Sequence, residues 1–419
     1  MTRTLSRRKL LATTGAAAGA VTLRGFPHVA AATKITIGVL DSFVEPMTTV
    51  LTQLQFTQKT GIEVEVGTRA RTADDFTTQM AGAIQSGKTP FDVIDFEDEV
   101  ASVFPQAGWM LPLNDLMTPE VQADFPQSMI DMAAVWDTLD GEQFRIHHNY
   151  EAQYYWYRKD VFDAKGIAVP KTWEDVRGLG AVLTDEAEGV YASGDGLMKG
   201  AFLNVFLDYL TLQAGGDPYQ VDDKYQTALQ YLYDLLHKDK VFTPGSLQKE
   251  YDAINQEYVN DRIFCMRQWP YFYDVARQAT PWYQEGKAEI ALPPQGPGGA
   301  ANSTYAAGWG WGIPKTTANK DAAIELVKFL IDPANVGAMA KINTWYLCPR
   351  ASVLAAAGEQ GIAPYLKQYT DAGVIGTRPY HPKFRQAVAV FEDAASAFLT
   401  DQISIEDALK QTKDGLAKL

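Results

Sequence analysis

A chain of 419 residues exceeds one small module and leaves room for two large lobes. Hydrophobic residues make up 46% and charged residues 21%, a globular balance, and the net charge of −14 excludes the basic footprint of a general nucleic-acid binder or a polybasic membrane-surface protein. Two cysteines, Cys265 and Cys348, are too few for a zinc cluster or a disulfide framework.

Residues 1–32 differ from the rest. They carry Arg3, Arg7, Arg8, Lys9 and Arg24 and no acid, with an apolar stretch from Leu10 to Leu23 and then Ala30-Ala31-Ala32. This is the layout of a cleaved secretory signal, too short for a membrane span. Ser6-Arg7-Arg8-Lys9-Leu10-Leu11 resembles the twin-arginine export motif. Cleavage near Ala32 and export to the periplasm are expected; an ordinary signal that happens to hold two arginines is the alternative.

Alternation of Ile35, Ile37 and Val39 predicts a strand, and Pro46 to Leu54 a helix with proline in its first turn. A second strand follows over Ile62, Val64 and Val66, a helix over Asp74–Ile84, and a third strand over Phe91–Phe96. Strand, helix, strand, helix, strand predicts a parallel sheet covered on both faces. The middle is mostly helical: a capping box at Thr172 and Asp175, a helix over Ala201–Gln213 and another over Tyr225–His237. Ile263, Cys265 and Met266 form a short strand closed by Pro270. Trp309, Trp311 and Ile313 alternate with glycines in another, and Asp321–Ile331, Lys383–Leu399 and Ser404–Leu416 are helices. Cys265 and Cys348 are either a disulfide or two buried thiols.

Several segments, in order, resemble the family-1 extracellular solute-binding proteins of ABC importers. They are Phe56–Val64 (FTQKTGIEV), Ser86–Ile94 (SGKTPFDVI), Gly108 with Leu111-Pro112-Leu113, Tyr157–Phe162 (YRKDVF) with Gly166-Ile167 and Pro170–Glu174 (PKTWE), and Gly308–Pro314 (GWGWGIP). The resemblance runs from about residue 33 to the end. It implies an α/β two-lobed fold, each lobe a sheet flanked by helices. Lobe 1 would be 33–148 plus 308–375 and lobe 2 would be 149–307 plus 376–419, with crossovers near 147–152, 306–310 and 374–378. A ligand would sit between the lobes, and the lobes would close over it by a hinge.

The resemblance also implies a sugar or polyol as ligand, an ABC permease as partner, a monomeric chain and no cofactor or metal. A sugar needs flat aromatic faces and polar groups for its hydroxyls. The candidates are Asp41, Ser42 and Phe43 after the first strand; Asp95, Glu97 and Asp98 after the third; His148, Asn149, Tyr150 and Glu151 at a crossover; Trp269 and Tyr271; Trp309 and Trp311; and Trp345, Arg378 and Tyr380. Asp41 could equally cap a helix, and Tyr155 and Tyr157 read as core. Two other functions stay open. One is a polyamine or other cationic ligand, suggested by the acidic loops. The other is a secreted carbohydrate-active enzyme with an acid pair such as Glu97 and Glu151.

Overall fold

A computed structural model describes residues 33–279, 285–359 and 361–419. The expected signal segment lies outside the described residues.

The chain opens with β1 (Thr33–Val39), β2 (Ile62–Thr68) and β3 (Val93–Glu97). A small hairpin, β4 (Thr138–Leu139) and β5 (Glu142–Gln143), precedes β6 (Ile146–His147) and β7 (Glu151–Ala152). Then come β8 (Tyr154–Arg158), β9 (Tyr191–Ser193), β10 (Ile263–Gln268), β11 (Ala288–Ala291), β12 (Thr304–Ala307), β13 (Trp309–Gly312) and β14 (Ile375–Thr377).

The protein has two α/β lobes. The first is built on the sheet β2-β1-β3-β13-β6, the second on β11-β8-β10-β9, and between them lies the three-stranded sheet β14-β12-β7. Neither large sheet is purely parallel. β1, β2 and β3 pair in parallel as their spacing predicts, but β13 returns from far along the chain and pairs antiparallel with β3 and β6. Gly310 permits this return. A Cβ there would lie 2.7 Å from the backbone oxygen of Ile146, so only glycine lets β13 and β6 approach so closely.

Several helix starts agree with their local signals. Thr172 accepts from the Asp175 N–H and Asp175 reciprocates, which starts the helix Trp173–Leu183. Ser404 caps Ile405–Leu416 and Thr72 caps Ala73–Gln85. The first helix departs from expectation. It begins at Asp41 rather than Pro46 and carries the proline inside. Burial of Met47, Val50 and Leu51 on one face outweighs the single backbone bond that proline removes.

β8 is buried along its whole length and divides the second lobe's core. Tyr154 and Trp156 belong to one apolar cluster and Tyr155 and Tyr157 to another, as strand alternation requires. Cys265 and Cys348 are both buried free thiols.

Candidate functional site

A cleft of about 800 Å³ runs between the lobes. Its first-lobe side is made where β3 ends and β13 begins: Glu97, Asp98 and Glu99 stand beside Gly308 and Trp309. Its second-lobe side is aromatic, with Phe202, Tyr251 and Trp269. Glu151 of β7 and Arg378, just past β14, enter from the connecting sheet.

Buried ion pairs organise the first-lobe side. Arg145 donates to Asp98 (2.6 Å) and Asp137 (2.7 Å), and to the carbonyls of Phe96 and Gly308. His147 contacts Asp137 at 2.6 Å. Burial alone would raise the Asp98 carboxyl, yet Arg145, His147 and Arg378 together hold it well below the usual carboxylate range. His147 is shifted upward despite its burial because Asp137 stabilises the charged ring. Arg378 reaches Glu99 at 3.1 Å and lies over Trp136 and Phe384. Among the described residues its Nε and Nη2 have no hydrogen-bond partner, although the side chain is buried.

Two carboxyls in the cleft are pushed the other way. Burial raises Glu97 to about 7 against the opposing charge of Arg69. Burial, then the charges of Asp98 and Glu99, raise Glu151 to about 8. Among the described residues no hydrogen bond or ion pair reaches the Glu151 carboxyl; its backbone pairs with Ala307.

Of the seventeen candidates, the structure gathers Glu97, Asp98, Glu151, Trp269, Trp309 and Arg378 on one cavity. The others lie elsewhere. Asp41 and Ser42 are exposed in the first turn of a helix. Phe43 stacks on Trp345 at 4.0 Å, and Trp345 meets the edge of Trp309 at 5.0 Å, so both stand behind the cleft wall. Asp95 bonds His148 (2.8 Å), whose ring lies 4.1 Å from fully buried Trp311. Asn149 accepts from the Trp309 backbone N–H at 2.9 Å, and Tyr150 is buried. Tyr271 bonds Asn255 and Asp252, and Tyr380 packs on Trp136.

Sequence reasoning missed Phe202, Tyr251 and the buried arginines Arg69, Arg145 and Arg267. Nothing local marks an arginine as buried. Its position shows only when the carboxylate that neutralises it comes from another part of the chain.

The family model of bacterial extracellular solute-binding proteins matches residues 40–337. The chain belongs to that family. Among curated relatives it is 29% identical over 140 residues to the osmoprotective compounds-binding protein GgtB of Synechocystis sp., covering 33% of this chain and 32% of that one. The match thus spans about a third of the length of that relative. Among solved structures, maltose-bound MalE3 of T. maritima superposes with a TM-score of 0.76 at 24% identity, over 92% of this chain and 100% of that one. A solute-binding protein of an ABC transporter from Agrobacterium radiobacter K84, in complex with ribitol, superposes with a TM-score of 0.72 at 19% identity, over 92% and 98%. At these identities the superpositions establish the two-lobed fold. The family is extracellular, and among the described residues no helix is long and apolar enough to cross a membrane.

Proposed function

We propose that this solute-binding protein captures a sugar or polyol between its lobes and hands it to the membrane permease of an ABC importer. The observation that carries the reading is an aromatic from each lobe, Trp309 and Trp269, on a cavity that also presents Glu97, Glu151 and Arg378. Flat rings suit the C–H faces of a polyhydroxylated solute, and carboxylates and a guanidinium suit its hydroxyls. These five residues are the proposed ligand contacts, with Asp98 holding the wall behind them. The bound maltose and ribitol of the structural neighbours and the osmoprotective compounds named for GgtB are consistent with this class.

On this reading the chain is exported with residues 1–32 removed, works as a monomer without catalysis, and closes about the sheet β14-β12-β7. The lobes divide as 33–148 plus 308–375 and 149–307 plus 376–419. A thermal-shift screen of monosaccharides, disaccharides and polyols tests it. A solute at 100 times its Kd stabilises the folded state by about 2.7 kcal/mol. Small-angle scattering with a hit should show a smaller radius. A screen without a hit among neutral polyhydroxylated compounds counts against the class, and turnover of any of them counts against a purely binding role.

One observation favours a second reading. Among the described residues the Glu151 carboxyl has no hydrogen-bond or ion-pair partner, and it stands near Asp95, Asp98 and Glu99, a setting that an ammonium group would neutralise. Polyamines and amino sugars belong in the same screen, and a shift from these alone selects the cationic solute.

A further inference from the structure

We propose that Arg69, which no signal in the sequence marks, is the positioning residue of the first-lobe wall: one buried guanidinium holds both the carboxylate of Glu97 and the indole of Trp309. As a statement about solute binding this rests on the cleft reading above; as a statement about Glu97 and Trp309 it stands alone.

Arg69 follows directly on β2 and its backbone N–H donates to the Val39 carbonyl at 2.8 Å, so the main chain is anchored to β1. Its side chain is fully buried and does not line the cleft. Nη2 donates to Glu97 Oε2 at 2.5 Å, and Nη1 to the Ala70 carbonyl at 2.9 Å. The guanidinium carbon lies over the Phe76 ring at 4.3 Å and over the Trp309 ring at 5.0 Å. Glu97 and Trp309 are cross-strand partners of β3 and β13. The ends of three strands therefore meet at one cation, and its two clients both face the cavity. A planar cation that stacks and bonds at once is what arginine supplies and lysine does not.

The second lobe contains an internal control. Arg267 is also buried; it is forked onto Asp195 at 2.5 and 2.9 Å, bonded to Gln153 at 2.6 Å, and lies 5.4 Å from the Tyr251 ring. Tyr251 lines the cleft, but Asp195 does not. Arg267 therefore supports an aromatic without setting a cleft charge, whereas Arg69 does both.

The charged groups that face Glu97 are Arg69, Asp95 and Glu99. Arg69 is the cation among them, so its loss should be read directly in the titration of Glu97. The test uses the mature chain and its Arg69→Met, Arg69→Lys and Arg267→Met variants. The Glu97 side-chain carboxyl carbon, assigned with Glu97→Gln, is followed by NMR against pH. Acrylamide quenching of Trp309, taken as the difference from Trp309→Phe, reports the indole.

Arg69→Met should raise the Glu97 midpoint by roughly 1–3 pH units, the usual effect of losing an adjacent cation. Arg69→Lys should move it little yet increase quenching of Trp309. Arg267→Met should change neither. A folded Arg69→Met chain with an unmoved Glu97 midpoint overturns the charge role. If that variant does not fold, Arg69→Lys decides, and unchanged quenching overturns the stacking role. With maltose and ribitol as probes, Arg69→Met should also displace the pH profile of affinity upward, which a loss of stability alone would not do. If neither probe binds the parent chain, that arm counts against the solute class, while the titration still decides Arg69.

Discussion

The two walls of the cleft are built on different physics. The first-lobe wall is ionic: Glu97, Asp98 and Glu99 stand on a buried lattice of Arg69, Arg145, His147, Asp137 and Arg378. The second-lobe wall is aromatic, with Phe202, Tyr251 and Trp269, and its buried pair Arg267–Asp195 lies behind the rings. Of its two acids, Glu250 is exposed and the buried Glu392 is committed, accepting the N–H groups of Gly200, Ala201 and Asn204 at the start of the helix Phe202–Gln213. One wall offers oriented polar groups and the other offers area. Changes on the first should therefore act through charge and pH, and changes on the second through stacking and stability.

The largest effect should come from breaking the ion pair behind the second wall. Asp195→Ala leaves Arg267 buried without its carboxylate, and unfolding in urea should show a loss of about 3–5 kcal/mol. Removal of a ring from the same wall should act on affinity. Trp269 lines the cleft with its edge toward Tyr305, and Trp269→Ala should weaken the solute returned by the screen by about 2–4 kcal/mol in calorimetry. Intact affinity with a large loss of stability would make Trp269 a core residue instead.

The first wall should show in the pH dependence. Glu97 at about 7 and Glu151 at about 8 lie above the ordinary 4.5, so the folded chain holds protons that the unfolded chain releases. Stability from these groups is greatest below pH 4.5 and declines as pH rises through 7 and 8. Each pH unit by which a folded midpoint exceeds the unfolded one contributes about 1.4 kcal/mol to that decline. Urea midpoints against pH should fall less steeply in Glu151→Gln; an unchanged slope would remove Glu151 from the account. The smallest effect is expected outside both walls. Tyr271→Phe removes the hydroxyl that meets Asn255 and Asp252, at a cost of about 0.5–1.5 kcal/mol of stability and with affinity unchanged.

Legibility followed the range of the interaction. The strands at 33–39 and 62–68 alternate visibly, and the helix at Trp173 announces itself through Thr172 and Asp175. Trp269 and Trp309 were also readable as candidates, because each lies at the end or start of a strand beside Pro270 or between glycines. Trp311 carries the same local pattern as Trp309, yet the structure buries it completely, since strand alternation sends positions 309 and 311 to one face and the depth along that face then separates them. The run HHNYE shows the same limit. Glu151 lines the cleft, while His148, Asn149 and Tyr150 turn inward to Asp95, the Trp309 backbone and the core.

What the sequence by itself determined is therefore what neighbours in the chain can settle: the periodicity of each element, several of its caps, and the ordered motifs that identify a two-lobed solute-binding fold. Only the tertiary structure decided which polar groups face the cleft and what holds them. Glu97 meets Arg69 across 28 positions, Asp98 meets Arg145 across 47, and Trp309 meets Asn149 across 160. A buried charge is tolerable only beside its partner, and the identity of that partner is a property of chain return, which no local pattern encodes.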